Sequence, residues 1–279
     1  MIKSIAVVSP AGGMKSDDFH AGAAALQAKG FDLRIMPGAI DSKEEHPAYL
    51  AASDEVRAAD LTAAFLDEKI DLILCSRGGY GCARLLDMLD WEALKQIDKP
   101  VAGFSDITAL HWAMTRHGIG SFIASPMLKY LTSPDELTWQ SFLDALEGKP
   151  VSLTLPALRP GTVSGQILPG NLTVAASLAG SAHFPSGKDK IILLEEIGEA
   201  PYRIDRMLTQ LRAAGLFEGA LAVIFGRFTD CGGFEKVLPV LHDFSKYVKC
   251  PVFYGAQFGH EMPMMSFSSR STVTVSALK

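Results

Sequence analysis

The sequence predicts an α/β fold in two parts: a parallel, doubly wound sheet in the first half, then a smaller α/β domain with a mixed sheet. Segments 71–75 (DLILC) and 100–104 (PVAGF) are almost wholly apolar, as strands buried on both faces should be. Each leads into a polar or glycine-rich turn and then a helical pattern, an alternation typical of parallel sheets. Ligands bind at the carboxyl ends of such strands, so functional residues are expected in the turns after Cys75 and Phe104.

The first half opens with a buried strand over 2–10 and a helix over 17–29, in which Phe19, Ala23 and Leu26 share one face. The other elements expected in this half are a strand at 31–36, a helix at about 50–68, the two apolar strands, and a helix at 134–146. The residues SPDE (133–136) predict that this last helix begins with a capping box and carries proline at its first position.

The segment GKPVSLTLPALRPGTVSG (148–165) is rich in Pro, Gly and β-formers, which predicts the crossover between two domains. The predicted division is 1–147 for the N-terminal domain, 148–164 for a linker and 165–279 for the C-terminal domain. The elements expected after the crossover are strands at 162–168, 190–196, 221–226, 251–254 and 271–277, with helices at 172–180, 201–214 and 235–247.

Composition excludes several classes of protein. With 279 residues, 48% of them hydrophobic, the chain can bury a substantial core and is not a disordered tail. A net charge of -5 argues against a nucleic-acid partner, and no apolar run approaches the ~20 residues that span a bilayer. The N-terminus reads as a first strand and not as a signal peptide. Four cysteines without CxxC spacing indicate reduced thiols in a cytoplasmic protein, with no cysteine-built zinc site.

Two turns at strand ends carry candidate catalytic groups. Ser105 and Asp106 follow an apolar strand and precede a helix, where a serine hydroxyl is exposed and the helix N-terminus favours an oxyanion. The loop SRGGYG (76–81) has three glycines that let backbone N–H groups approach a ligand. Local sequence leaves a second interpretation open for each: a plain N-cap for Ser105 and a tight turn for the glycine loop.

Acids and a histidine stand at two later strand ends. Glu195 ends a strand and is suited either to orient a histidine or to face the positive end of the next helix, whereas we expect Glu196 to be solvated. His260 lies in a glycine-flanked loop, a position that is often incidental for a histidine. Together with Ser105 and the glycine loop, however, these residues make up the inventory of a Ser–His–Glu hydrolase whose site lies between two domains.

Five blocks along the chain resemble one family. They are ILCSRGGYGCARLL (73–86), VAGFSDITAL (101–110), LPGNLTV (168–174), IILLEEIGEAPYRIDRML (191–208) and VFYGAQFGHEMP (252–263). In these blocks the sequence is similar to the LD-carboxypeptidase family, serine peptidases of the muramoyltetrapeptide carboxypeptidase type, with the microcin-immunity peptidases as a sister branch.

The resemblance implies Ser105 as nucleophile, His260 as general base and Glu195 as the acid that holds the imidazole in its working tautomer. Glu195 is chosen over Glu196 and Glu199 because the family's acid stands first after this strand.

The resemblance also implies an oxyanion hole formed by the backbone N–H groups of Gly79 and Asp106. The implied architecture is a Rossmann-like N-terminal domain with a smaller C-terminal α/β domain, often paired as a homodimer. The implied activity is a cytoplasmic serine carboxypeptidase that releases the terminal D-Ala from murein tetrapeptides during peptidoglycan recycling, with no metal and no cofactor. Arg203 and Arg206 are candidates for binding the substrate carboxylate, or are ordinary surface residues of a helix.

Two alternatives stay open. One is a microcin-type peptidase or amidase acting on acyl-amino-acid or aminoacyl-nucleotide conjugates, although segment 227–236 offers little material for a nucleotide site. The other is a non-catalytic two-lobed module that binds a peptide or sugar. Two segments depart from the family pattern, Ala124-Ser125-Pro126-Met127 and 264–269. Both are expected near the pocket and neither removes a triad residue, so they bear on the substrate and not on the reaction type.

Overall fold

The computed structural model describes residues 2–40 and 46–278, and over these residues the chain forms two sheets with helices packed against them. The strands are β1 (Ser4–Val8), β2 (Asp32–Ile35), β3 (Leu72–Cys75), β4 (Val101–Gly103), β5 (Phe122–Ala124), β6 (Val151–Leu155), β7 (Ala157–Arg159), β8 (Thr162–Asn171), β9 (Lys190–Ile197), β10 (Ala222–Thr229), β11 (Val252–Tyr254), β12 (Phe267–Ser268) and β13 (Val273–Ala277). The α-helices are α1 (Ser16–Ala28), α2 (Asp54–Leu66), α3 (Trp91–Leu94), α4 (Thr108–Arg116), α5 (Glu136–Leu146), α6 (Leu172–Ser177), α7 (Pro201–Ala213) and α8 (Phe234–Ser245). None of these helices has both the length and the apolarity needed to cross a bilayer.

The first sheet has the strand order β12-β5-β4-β3-β1-β2. Strands β1 to β5 pair in parallel, and β12 pairs antiparallel with β5. Every residue of β3 and β4 is buried, because helices cover both faces of the sheet. The parallel, Rossmann-like sheet predicted for the first half is therefore confirmed.

The second sheet has the order β6-β13-β8-β9-β10-β11-β7. Strands β8 to β11 run parallel, with the buried strand β9 in the centre. Strand β13 is antiparallel to β8, and β7 is antiparallel to β11. This sheet is mixed, as predicted.

Residues 148–164, predicted as a linker, contribute two outer strands to the second sheet. Strand β6 pairs in parallel with β13, and β7 pairs with β11. Strand β12, from the predicted C-terminal domain, pairs with β5 of the first sheet. The chain therefore crosses between the sheets more than once, and the domain boundaries at 147 and 165 stay a prediction.

The start of α5 differs from the predicted capping box. The helix begins at Glu136, and Asp135 is its N-cap. The Asp135 carboxylate accepts hydrogen bonds from the Thr138 N–H at 2.9 Å and the Thr138 hydroxyl at 2.6 Å. The prediction that Ser133 caps the helix and Pro134 opens it is wrong, because the nearer aspartate reaches the third helical N–H and its charge suits the helix N-terminus.

Helix α4 lies where the two sheets meet. The Trp112 indole N–H donates to the Pro169 carbonyl at 2.9 Å, and the Asn171 backbone N–H donates to Thr108 Oγ1 at 2.8 Å. Between these bonds, a Cβ on Gly170 would lie 2.9 Å from Thr108 Cγ2 and 3.0 Å from Trp112 Nε1, so the close approach needs glycine. The contact brings the end of β8 against the start of α4.

His111 anchors α4 to the first sheet. Its buried ring stacks on Phe122 with 4.6 Å between centroids, and its Nε2 lies 3.0 Å from the Val101 carbonyl oxygen. Burial lowers the pKa of His111 to about 3, so the ring is neutral in the folded protein and donates its Nε2–H to that carbonyl.

The low pKa of His111 predicts a specific loss of stability in acid. The unfolded chain takes up a proton near pH 6.5 and the folded chain does not, so this contribution is present above pH 6.5 and is lost as the pH falls from there towards 3. Between pH 7.5 and pH 5, His111 should lower the free energy of unfolding by about 2 kcal/mol.

Urea titrations at both pH values, on the wild type and His111→Gln, measure this contribution. The variant should lose about 2 kcal/mol less than the wild type. His242→Gln, at an exposed histidine in α8, is the matched control for the substitution. Equal losses in the wild type and His111→Gln would contradict the assignment.

Candidate active site

Ser105 lies in a strained turn between β4 and α4. Phe104 is extended, Ser105 has a φ of +64°, and residues 105–107 form a 3₁₀ turn that leads into the helix. The left-handed conformation costs a non-glycine residue about 1–2 kcal/mol, so the surrounding structure must hold Ser105 in it. Ser105 makes no capping hydrogen bond, so the N-cap interpretation does not hold.

Ser105, His260 and Glu195 form one chain of hydrogen bonds. His260 Nε2 lies 3.0 Å from Ser105 Oγ, and His260 Nδ1 lies 2.8 Å from Glu195 Oε2. Because a carboxylate only accepts, Nδ1 donates to Glu195, which leaves Nε2 to accept the Ser105 hydroxyl proton. The Glu195 side chain is fully buried and that of His260 is 9% exposed. Three residues that are far apart in the sequence thus meet at the carboxyl ends of the two sheets.

Glu196 does not behave as predicted. It is 2% exposed, and its carboxylate accepts from the Thr173 N–H at 2.7 Å, the Thr173 hydroxyl at 2.6 Å and the Ile197 N–H at 2.8 Å. Burial raises the pKa of Glu196, and these hydrogen bonds oppose the rise. The expectation of a solvated Glu196 is wrong because β9 extends past Glu195 and α6 covers its end.

Asn171 is a site residue whose role cannot be seen from the motif LPGN (168–171) alone. Its Nδ2 donates to Glu195 and to Glu196, at 3.1 Å in each case, while its Oδ1 caps α6 by accepting from the Val174 N–H at 3.1 Å. Its backbone N–H makes the bond to Thr108 described above. One residue therefore joins the buried acids to the helix that follows Ser105. The available signal was an asparagine between a strand and a helix in LPGN (168–171).

The glycine loop packs directly against Ser105. A Cβ on Gly78 would lie 2.9 Å from Ser105 Oγ and 3.3 Å from the Asp106 backbone nitrogen. The Gly78 carbonyl accepts from the Gly12 N–H at 3.2 Å, so the Gly79 N–H, on the other side of the same trans peptide, points away from Gly12. Gly79 has a φ of +113°, which requires glycine here.

The Asp106 carboxylate ties this loop to the serine turn. It accepts from the Cys82 backbone N–H at 2.9 Å, just after the loop ends. Burial raises the pKa of Asp106, and the Cys82 hydrogen bonds lower it. The loop and the turn are thus held in one arrangement, with the Asp106 backbone N–H at the start of the 3₁₀ turn, where N–H groups lack intrahelical partners.

Arg203 and Arg206 are exposed on α7. Arg203 pairs with Glu199 at 3.3 Å and contacts the Tyr202 hydroxyl at 3.2 Å. The Arg206 guanidinium lies 5.4 Å from the centroid of the Tyr202 ring. Both side chains engage neighbours at the start of their own helix, and neither contacts Ser105, Glu195 or His260.

The two departures from the family pattern lie beside the first sheet. Ser125 is buried after β5, and its N–H donates to the Gly103 carbonyl at 3.1 Å. In the segment 264–269, the Met264 N–H donates to Thr138 Oγ1 at 2.9 Å, and the following residues form β12 on β5. Both segments therefore support the strands around the serine turn.

Apart from the region of Ser105, a ligand could bind at a metal site or in a cavity. Among residues 2–40 and 46–278, no group of three or more His, Cys, Asp or Glu side chains is arranged to hold a metal ion. A cavity of about 840 Å³ is lined by residues that include Ile2, Phe31 and Pro100, at the amino ends of the first sheet's strands. It lies at the opposite edge of that sheet from Ser105.

Comparison with known proteins identifies the family. Residues 5–124 match the N-terminal domain of the LD-carboxypeptidases, and residues 164–275 match their C-terminal domain. The chain belongs to the LD-carboxypeptidase family. It is a serine peptidase of the carboxypeptidase type, and the resemblance seen in the sequence is confirmed.

Relatives in this LD-carboxypeptidase family match over nearly the whole chain. A putative carboxypeptidase of Streptomyces coelicolor is 36% identical over 264 residues, covering 92% of this chain and 84% of the relative. The murein tetrapeptide carboxypeptidase of Pseudomonas aeruginosa is 32% identical over 276 residues, covering 92% of this chain and 87% of the relative.

Two solved structures share the architecture. The muramoyltetrapeptide carboxypeptidase from Oxalobacter formigenes has a TM-score of 0.84 and 27% identity, over 98% of this chain and 94% of that one. An MccF-like protein from Bacillus anthracis has a TM-score of 0.89 and 24% identity, over 100% of this chain and 94% of that one. The second match, at this identity, shows the fold alone.

The position of Asn171 between the two acids predicts that it controls the reactivity of Ser105 in this LD-carboxypeptidase. Asn171→Ser keeps a good helix cap but removes the amide that donates to Glu195 and Glu196. Losing a hydrogen bond to a charged group should slow labelling of Ser105 by a fluorophosphonate about 10- to 100-fold.

Asn171→Ala separates this effect from stability. It removes the amide and the cap, so it should be labelled as slowly as Asn171→Ser while melting at a lower temperature. Labelling of Asn171→Ser at the wild-type rate would show that the amide does not influence Ser105.

Proposed function

We propose that this protein is a serine LD-carboxypeptidase that releases the terminal D-Ala from murein tetrapeptides in peptidoglycan recycling. The observation that carries the proposal is the continuous hydrogen-bonded chain from Ser105 Oγ through His260 to Glu195. Family membership and the names of the Pseudomonas and Oxalobacter relatives support the substrate class.

In the proposed mechanism, Ser105 Oγ attacks the carbonyl carbon at the L-centre that precedes the D-Ala. His260 Nε2 accepts the hydroxyl proton as the new bond forms, and Glu195 stabilises the resulting imidazolium through Nδ1. The Gly79 and Asp106 backbone N–H groups donate to the oxyanion of the tetrahedral intermediate. The strained φ of Ser105 and the contact with Gly78 support this role, because they hold the hydroxyl against the loop that contains Gly79.

The intermediate then collapses as the C–N bond breaks, and His260 returns its proton to the departing amine of D-Ala. A water molecule, deprotonated by His260, attacks the Ser105 ester and releases the shortened peptide. The two half-reactions use the same residues, and neither requires a cofactor.

The microcin-type peptidase is the second candidate function. The MccF-like protein from Bacillus anthracis shares the fold, with a TM-score of 0.89, so the architecture suits either activity. In this chain, residues 227–236 span the end of β10 and the start of α8, joined by a short turn. So short a connection offers little surface for a nucleotide. We therefore propose the murein peptide as the substrate in preference to a nucleotide conjugate.

We also infer a cytoplasmic homodimer. All four cysteines are free thiols, which suits a reducing compartment, and the family resemblance implies the dimer. Light scattering on the purified protein tests the dimer: a mass close to twice that of the 30.0 kDa chain supports it, and a mass close to that of one chain contradicts it.

The proposed reaction predicts the loss of one alanine from a murein tetrapeptide. Wild-type protein incubated with the tetrapeptide should yield the tripeptide, observed by mass spectrometry. Ser105→Ala should lower turnover by about three orders of magnitude or more, because it removes the nucleophile, and should still bind the peptide.

Ser177→Ala, at an exposed serine in α6, is the matched control and should retain wild-type turnover. Equal cleavage by the wild type and Ser105→Ala would rule out Ser105 as the nucleophile. Peptide binding without cleavage by the wild type would favour the conjugate-specific peptidase or the binding module.

A further inference from the structure

A carboxypeptidase must recognise the free carboxylate of the residue it releases. The position of the group that binds this carboxylate, its receptor, follows from the geometry of the substrate. Three bonds separate that carboxylate carbon from the scissile carbonyl carbon, so its receptor has to lie beside the oxyanion hole. An enclosed carboxylate is costly unless it is paired, which calls for a cation with free donors. This reasoning rests on the proposed function.

Arg77 lies at the required place. It immediately precedes Gly78, the residue in contact with Ser105, and its guanidinium lies along the same loop. Arg77 Nη1 donates to the Gly13 carbonyl at 3.0 Å, and Arg77 Nη2 is 3.7 Å from where a Cβ on Gly79 would be. The guanidinium is therefore next to the backbone that supplies the Gly79 N–H.

Arg77 is also available for a ligand. Its side chain is half-buried, and within the described part of the chain its only hydrogen bond is the one to Gly13, which leaves four of its five N–H donors free. Arg57, Arg84 and Arg203, by contrast, each pair with a carboxylate of the protein. A positive charge in a cleft without its own counter-ion is suited to an anionic ligand.

Aromatic rings connect the histidine with the surroundings of Arg77. The Phe104 ring lies 4.9 Å from the His260 ring and 5.4 Å from the Tyr130 ring, measured between centroids. Burial and the Glu195 charge raise the pKa of Tyr130, and the Arg77 charge lowers it, so the phenol is within electrostatic range of both groups. Together with the contact between Gly78 and Ser105, this places Arg77 in the neighbourhood of Ser105 and His260.

We propose that Arg77 binds the terminal carboxylate of the amino acid that is released, in place of Arg203 and Arg206. The planar guanidinium can donate two parallel hydrogen bonds to a carboxylate while Nη1 keeps its hydrogen bond to the Gly13 carbonyl. A peptide with a free carboxylate is then held with its last amide bond at Ser105, which explains how the site selects a chain end over an internal bond.

The test compares two substrates that differ only at the terminus: the murein tetrapeptide and its C-terminal carboxamide. Wild type should favour the free acid in kcat/KM by about 10- to 100-fold, as expected for a charge-assisted pair. Arg77→Met should reduce this ratio towards one, mainly by slowing cleavage of the acid. Arg77→Lys keeps the positive charge but cannot donate two parallel hydrogen bonds from one planar group, so its ratio should be intermediate.

Arg116→Met, at an exposed arginine at the end of α4, is the control for removing a cation and should keep the wild-type ratio. An equal fall for both substrates in Arg77→Met would mean that Arg77 only shapes the loop, and would overturn the proposal. The rival cations are Arg203, Arg206 and the exposed Lys129, whose Nζ lies 5.4 Å from the centroid of the Tyr130 ring. Loss of the preference in Arg203→Met, Arg206→Met or Lys129→Met, with Arg77→Met unaffected, would overturn the proposal in favour of that residue.

Calorimetry on the Ser105→Ala background separates this proposal from the proposed reaction. Ser105→Ala should bind the acid at least tenfold more tightly than the carboxamide, and Ser105→Ala/Arg77→Met should bind both alike. This comparison needs no turnover, so it stands even if the wild type fails to cleave tetrapeptides. Equal affinity of Ser105→Ala for the acid and the carboxamide would contradict the role of Arg77.

Discussion

The contact between the start of α4 and the end of β8 determines where the functional groups lie. Thr108 follows Ser105 by one helical turn, and Asn171 is the register partner of Glu195 across β8 and β9. The hydrogen bond from the Asn171 N–H to Thr108 Oγ1 therefore links the helix that follows the serine to the strand paired with that of the acid. Because parallel strands present their carboxyl ends along one edge, this contact sets the two edges face to face, and His260 bridges them.

The same contact explains how two acids remain buried side by side. Adjacent carboxylates in a low-dielectric site repel each other unless donors surround them. The Asn171 amide donates to both, and the first turn of α6 supplies the Thr173 N–H and hydroxyl to Glu196. Glu196 thereby takes up the donors at the helix terminus, which leaves one oxygen of Glu195 facing the His260 imidazole. The rigidity of the acid comes from a network built by its neighbours.

Most of the fold could be predicted because buried positions carry apolar residues in patterns that are typical of helices and strands. The apolar strands β3 and β4 and the helices around them follow directly from these patterns. The short strands β6, β7 and β12 were not predicted as separate elements. Strands β6 and β7 lie at sheet edges and are partly exposed, β12 is buried but has only two residues, and all three bond to segments distant in the chain. The N-cap at Asp135 was missed for a smaller reason: two candidate caps stood two residues apart.

The sequence by itself determined which chemical groups stand at which strand ends, because local pattern and motif depend only on neighbouring residues. Only the tertiary structure decided which groups meet. It showed that Glu195 and not Glu196 contacts His260 and that Asn171 joins the two halves. It also showed that, among residues 2–40 and 46–278, no carboxylate pairs with Arg77, whereas Arg203 pairs with Glu199. Each of these outcomes depends on distances between residues far apart in the chain, and on whether burial leaves a charge paired or free.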